Sequence, residues 1–137
     1  MERSVRIAAT ILKAMLRHAR AEMPRECCGL LAGRGAVITE IFSAKNMLAS
    51  PTAYSIAPQE LFESFRDMRA RNLDHLGIYH SHPSGENTPS PLDIERAFDL
   101  HVAYFIVSPR TETPQPVRAF AICDGRAEEL TVEIAQT

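Results

Sequence analysis

The chain has 137 residues, of which 45% are hydrophobic and 23% charged. That balance excludes disordered, collagenous and coiled-coil classes and supplies enough apolar material for one core, so residues 1–137 are read as a single domain. Fifteen basic against seventeen acidic residues give a net charge of −2 with the signs interspersed, which argues against a nucleic-acid or anionic-membrane partner.

No apolar run approaches the ~20 residues that span a bilayer, and the first residues lead into no signal-peptide stretch, so a cytoplasmic location is expected. Three cysteines, two of them adjacent at Cys27 and Cys28, make a poor disulfide framework and suit a reducing compartment. The Cys27-Cys28 pair lacks Cys-x-x-Cys spacing and is read as small buried packing residues.

Val5 to Ala8 predict a short strand. From Thr10 onward, Ile11, Leu12, Met15, Leu16 and Ala19 recur at helical spacing, so a helix is expected from about Thr10 to Glu22, with Thr10 as its N-cap. Pro24 stops it by pushing the preceding residue out of the α region. Cys27 to Ala32 read as a buried strand with Glu26 at its start, Gly33-Arg34-Gly35 as a tight hairpin turn, and Ala36 to Ser43 as the returning strand. Asn46 to Pro58 carry two prolines and little periodicity; this is a loop, long enough to suggest a working surface. Leu61, Phe62, Phe65 and Met68 lie on one face of a second helix between Pro58 and Arg71 and are read as core.

His75 to Tyr79 form a short apolar run. It enters a polar cluster, His80 to Asp93, whose Pro83, Gly85, Pro89 and Pro91 exclude regular structure. Pro91 suits the first turn of a third helix, capped by Ser90 and running to about Leu100. Val102 to Val107, Val117 to Cys123 and Arg126 to Ile134 are three further strands, the last two joined by an Asp124-Gly125 hairpin. Helices separating strands at both ends, with hairpins between, predict an α/β fold with one mixed sheet flanked by helices.

The chemistry concentrates in Ile78-Tyr79-His80-Ser81-His82-Pro83. On an extended segment, side chains at i and i+2 leave from one face, so both imidazoles converge on one point and a metal is the natural occupant. Asp93, in the first turn of the helix that follows, is the best third ligand. Two histidines, one carboxylate and an open position match a catalytic zinc, which lowers the pKa of its water to about 7. A carboxylate outside the ligand set must move the proton from that water to the leaving amine. Glu26, whose pKa burial would raise, is assigned that role, carried beside His80 on a strand expected to run parallel to it.

These segments resemble the JAMM or MPN+ zinc metalloproteases. The family pattern is an upstream Glu, His-x-His-Pro, six variable residues, Ser, two variable residues and Asp. The chain reads Glu26, then His80-Ser81-His82-Pro83, the six residues Ser84 to Pro89, Ser90, Pro91-Leu92 and Asp93. The likeness extends through Pro24 to Leu31, Ser50-Pro51, Tyr54, Tyr104 to Ser108 and the Asp124-Gly125 hairpin. It implies a mixed sheet in α-β-α layers (the MPN/JAB fold, cytidine-deaminase-like in its layering) with one zinc held by His80, His82 and Asp93. It also implies Glu26 as the general acid/base and Ser90 as a hydrogen-bond donor to the tetrahedral oxyanion.

Such enzymes cleave peptide or isopeptide bonds after the Gly-Gly tail of ubiquitin or ubiquitin-like proteins. The short length and lack of large insertions resemble the small prokaryotic branch, which releases an amino acid such as cysteine from a sulfur-carrier protein. The expected partner is therefore a small carrier ending in Gly-Gly, its tail extended beside a sheet edge near the zinc; a homodimer is compatible with the same reading.

Competing readings are weaker. A metal-free scaffold of the same fold would lack some ligands, and none is missing here. A nucleoside deaminase needs His-x-Glu and a downstream Pro-Cys-x-x-Cys, both absent from the sequence. Ser90 has an N-cap explanation that needs no catalysis. His18, His75 and His101 show no ligand spacing to one another, and Glu86 reads as a solvated loop charge.

Overall fold

The computed structural model describes residues 3–135; the outermost residues of the expected domain, 1–2 and 136–137, lie outside the described residues. In chain order the elements are β1 (Ser4–Ala8), α1 (Ala9–Glu22), β2 (Cys28–Arg34), β3 (Val37–Ala44) and α2 (Pro58–Ala70). They continue with β4 (Asp74–Ser81), α3 (Pro91–Glu95), β5 (Ala103–Val107), β6 (Val117–Cys123) and β7 (Arg126–Ala135). The strands form one mixed sheet that closes on itself in the order β1-β3-β2-β4-β5-β6-β7. Closure rests on β1, which runs parallel to both β7 and β3. The β1–β3 ladder covers Arg6–Val37 and Ile7–Ile38, so among the described residues no strand pairs with the outer edge of β3 from Thr39 onward.

The core lies between the sheet and α1. Ile11, Met15 and Ala19 of the helix meet Ile7, Leu31, Ile38, Tyr79 and Phe105 from five strands, and these strand residues are at most 2% exposed. Burying such side chains is worth ~1.5–3 kcal/mol each and holds the strands in place. Cys27 and Cys28 are fully buried small residues, as expected, and Cys123 is exposed.

The chain departs from the sequence reading at five places. Thr10 does not cap α1: the helix begins at Ala9, its cap position is Ala8, and no side chain caps it. The first hairpin turns at Gly35-Ala36, both with positive φ, while Gly33 and Arg34 stay in β2. Gly33 is required instead for close approach, since β3 bulges opposite the Ala32/Gly33 step and a Cβ at Gly33 would collide with the Val37 carbonyl. The third helix ends at Glu95 instead of Leu100. Both backbone groups of Asp99 bond the Tyr104 hydroxyl at 3.1 Å, which draws the chain off the helical path.

On α2, Met68 is buried and Leu61 packs beside it, whereas Phe62 is 59% and Phe65 38% exposed. The apolar stripe of that helix is thus narrower than its composition suggests. Finally, β2 and β4 are antiparallel, not parallel. The Asp124-Gly125 hairpin forms as read, with both residues at positive φ.

Two measurements test this packing. Gly33→Ala should destabilise the fold by roughly 2–3 kcal/mol in urea unfolding, the cost of forcing a methyl against backbone. Burial raises the Cys27 thiol to about 11 and the Cys28 thiol to about 12. A thiol reagent near neutral pH should therefore label one cysteine, Cys123, in the native protein and all three in denaturant.

Candidate metal centre

The site forms where β2 and β4 run side by side. Cys28 stands opposite His80 in their ladder. Just beyond, the Cys27 N–H donates to Ser81 Oγ at 2.8 Å and the Ser81 N–H to the Cys27 carbonyl at 3.1 Å. The chain stays extended past β4, with the His82 N–H donating to the Val107 carbonyl at 2.9 Å. His80 and His82 therefore leave from one face, as their spacing requires, and Ser81 turns to the other.

Asp93 arrives from α3. Ser90 Oγ accepts the Asp93 N–H at 3.1 Å, and the Ser90 N–H donates to Asp93 Oδ2 at 2.9 Å, a reciprocal capping box with Pro91 at the first helical position. This five-residue helix carries little burial of its own; its N-terminal chemistry aims the carboxylate.

Three side chains then meet. His80 Nε2 lies 3.1 Å from Asp93 Oδ1, His82 Nε2 lies 3.0 Å from Asp93 Oδ2, and the two Nε2 atoms are 3.2 Å apart. Bonds of ~2.0–2.1 Å to a tetrahedral ion put ligand atoms about 3.4 Å apart, so the set needs only a few tenths of an ångström of opening to hold one. His82 Nδ1 lies 2.8 Å from the Glu86 carbonyl; a carbonyl only accepts, so Nδ1 carries a proton, and in the neutral ring Nε2 is the atom that presents a lone pair. Asp93 Oδ2 at 3.0 Å then faces either the Nε2–H of the charged ring or a cation bound at the Nε2 lone pair of the neutral one. This group is the one cluster of His, Cys, Asp and Glu among the described residues with metal-binding spacing.

The electrostatics agree. Burial holds the His80 imidazole below its usual pKa and so neutral. Burial would also lower His82, but the Asp93 carboxylate and the Glu86 carbonyl outweigh it and raise the group, a pull that acts on any cation at Nε2. Burial works against ionisation of Asp93, yet hydrogen bonds from His80 and His82 override it and hold the carboxyl well below the usual range. The Tyr54 ring stacks on His80 with centroids 4.7 Å apart and closes one side.

Glu26 stands just before β2 and is 4% exposed, with Oε1 buried and without a hydrogen-bond partner among the described residues. Desolvation raises its carboxyl to about 7; the charge of His82 partly offsets this and that of Asp93 adds to it. Glu26, His82 and Ser90 together line a cleft of about 170 Å³ with Pro51, Thr52 and Ser84. All five residues singled out from the sequence, Glu26, His80, His82, Ser90 and Asp93, thus come to one place.

Other positions behave differently. Glu86 is exposed, as a solvated charge should be, and its carbonyl, invisible to side-chain reasoning, fixes the His82 tautomer. His18 bonds the Tyr79 hydroxyl at 2.7 Å and His75 sits against Phe65 and Asp99, all apart from this cluster. Sequence reasoning gave no role to Ser81, which pins Cys27. The small residue between the two histidines was its only signal.

The chain belongs to the prokaryotic homologues of the JAB domain, whose profile matches residues 8–123. It is 33% identical over 132 residues to the CysO-cysteine peptidase of Mycobacterium tuberculosis H37Rv, covering 95% of this chain and 90% of that protein. A desampylase of Haloferax volcanii is 34% identical over 110 residues, covering 75% and 79%. A probable TtuB-protein conjugate cleaving protease of Thermus thermophilus is 36% identical over 123 residues, covering 89% and 78%. Among solved structures, one from Desulfitobacterium hafniense superposes with a TM-score of 0.84 at 31% identity, covering 97% of this chain and 94% of that one. A JAB1/MPN domain protein of Archaeoglobus fulgidus gives 0.65 at 21% identity, covering 97% and 98%, and shares the fold. No helix of the described residues is long and apolar enough to cross a membrane.

Proposed function

We propose that the protein is a zinc-dependent hydrolase that cleaves a peptide or isopeptide bond after the Gly-Gly tail of a ubiquitin-like or sulfur-carrier protein. The observation that carries this reading is the convergence of three acceptor atoms beside a buried, unpartnered carboxylate. His80 Nε2, His82 Nε2 and Asp93 hold the ion. A zinc ion bound there supplies Lewis acidity, lowering the pKa of water toward about 7 and polarising a carbonyl.

Glu26 carries the proton. With its pKa raised to about 7, it accepts a proton from the attacking water near neutral pH and returns it to the leaving amine. Ser90 Oγ spends a lone pair on the Asp93 N–H and keeps its own proton to donate to the developing oxyanion, so capping and catalysis are compatible. The substrate tail enters by the cleft that Glu26, Pro51, Thr52 and Ser84 line, and glycines suit it because they carry no side chain. The names of the relatives, a CysO-cysteine peptidase, a desampylase and a TtuB-conjugate protease, support a small protein carrier as the partner. The three free thiols support a reducing cytoplasm for this chain.

Purified protein should bind one zinc per chain by elemental analysis, and His82→Ala should lose it. Glu26→Gln should keep the zinc while cleavage of a carrier conjugate, followed by mass spectrometry, slows by about 10²–10⁴-fold. A conjugate that survives prolonged incubation with the zinc-loaded wild type would overturn the assignment in favour of a binding scaffold.

A further inference from the structure

Asn46 is one of few polar side chains buried outside the candidate centre, 6% exposed at the start of the loop between β3 and α2. Its amide spends its full capacity of two donors and two acceptor lone pairs. Nδ2 donates to the Glu26 carbonyl at 3.1 Å and to the Ala53 carbonyl at 3.0 Å. Oδ1 accepts from the Leu48 N–H at 3.0 Å and the Ser55 N–H at 3.2 Å. The loop returns the contact, since the Glu26 N–H donates to the Ser50 carbonyl at 2.9 Å.

Glu26 lies outside the sheet. The β2–β4 ladder begins at Cys28 opposite His80, and Cys27 has its own pair of bonds to Ser81. The backbone of Glu26 is therefore fixed from both its N–H and its carbonyl by the 46–55 loop. The same loop carries Tyr54 onto His80 and supplies Pro51 and Thr52 to the cleft.

We propose that Asn46 is a positioning residue for the proton-transferring carboxylate: through its bond to the Glu26 carbonyl and its three bonds within the 46–55 loop, it sets where the Glu26 side chain stands. The inference rests on the peptidase reading above. Asn46 touches no ligand of the ion, so its loss leaves metal binding intact and acts on turnover. Misplacing a reacting group by about an ångström costs on the order of 10²-fold.

The test compares zinc-loaded wild type, Asn46→Ala and Asn46→Asp. The Asp variant keeps both bonds into the loop from Oδ1 but sets an acceptor against the carbonyls of Glu26 and Ala53, so it breaks the Glu26 contact while Leu48 and Ser55 stay held; circular dichroism checks the fold of each variant, and the comparison is made on whichever is folded. Zinc should remain at one per chain in the variants. Amide hydrogen exchange by mass spectrometry should accelerate by about tenfold or more at Glu26, with β4 unchanged. In the Ala variant the 46–55 loop should accelerate with it. Turnover of a carrier conjugate should fall by about 10- to 100-fold in kcat, with KM within about threefold. In a Glu26→Gln background, adding Asn46→Ala should change residual turnover by less than about twofold, because the group it positions is already disabled.

Unchanged exchange at Glu26, kcat within about twofold of wild type, or loss of zinc together with opening of β4 would each overturn the proposal. Failure of the wild type to cleave any conjugate would instead fail the peptidase reading, and the exchange data would still decide whether Asn46 holds Glu26.

Discussion

The site depends on one register. With Cys28 opposite His80 in the β2–β4 ladder, the residue two positions before Cys28 and the residue two positions after His80 overlap at the same end of the sheet. The reciprocal bonds between Cys27 and Ser81 lock that overlap where the regular ladder stops. A slip by one residue would turn the imidazoles to the opposite face and separate them from Glu26, since side chains alternate with period two. The apolar core beneath, with Leu31, Tyr79 and Phe105 fully buried, makes such a slip costly.

A second constraint is electrostatic. Bringing two imidazoles and a carboxylate to within about 3.2 Å of one another desolvates all three groups. The arrangement persists because each group is held from behind: His82 by the Glu86 carbonyl, Asp93 by the Ser90 capping box, and His80 by the Tyr54 ring. Supports of that kind orient side chains of metal-ligating type and set the imidazole tautomer. Placing an unpartnered carboxylate in a desolvated position beside them repeats the pattern, since Glu26 gains a pKa near neutrality at the expense of folding free energy.

The 46–55 loop is the least regular part of this surroundings and the most connected. It has no ladder to order it; the Asn46 side chain bridges four backbone groups, and the Met47 N–H adds a bond across the loop to the Ser55 carbonyl at 2.8 Å. A loop held by hydrogen bonds around one buried amide can wall a cleft and anchor a neighbouring residue.

The cluster of His80, His82 and Asp93 was legible in the sequence because its geometry is local. An i, i+2 histidine pair on an extended segment and a capping Ser-Pro-x-Asp at a helix start impose their directions whatever surrounds them. The hairpin at Asp124-Gly125 and the amphipathic α1 were legible for the same reason. Tertiary packing alone decided that β2 and β4 run antiparallel, that the sheet closes through β1, that the first turn falls at Gly35 instead of Gly33, and that α3 stops where Tyr104 captures Asp99. It also decided that a loop asparagine and the carbonyl of Glu86 complete the site. Those outcomes turn on which distant backbone groups find one another on folding, and residue spacing along a chain carries no record of that.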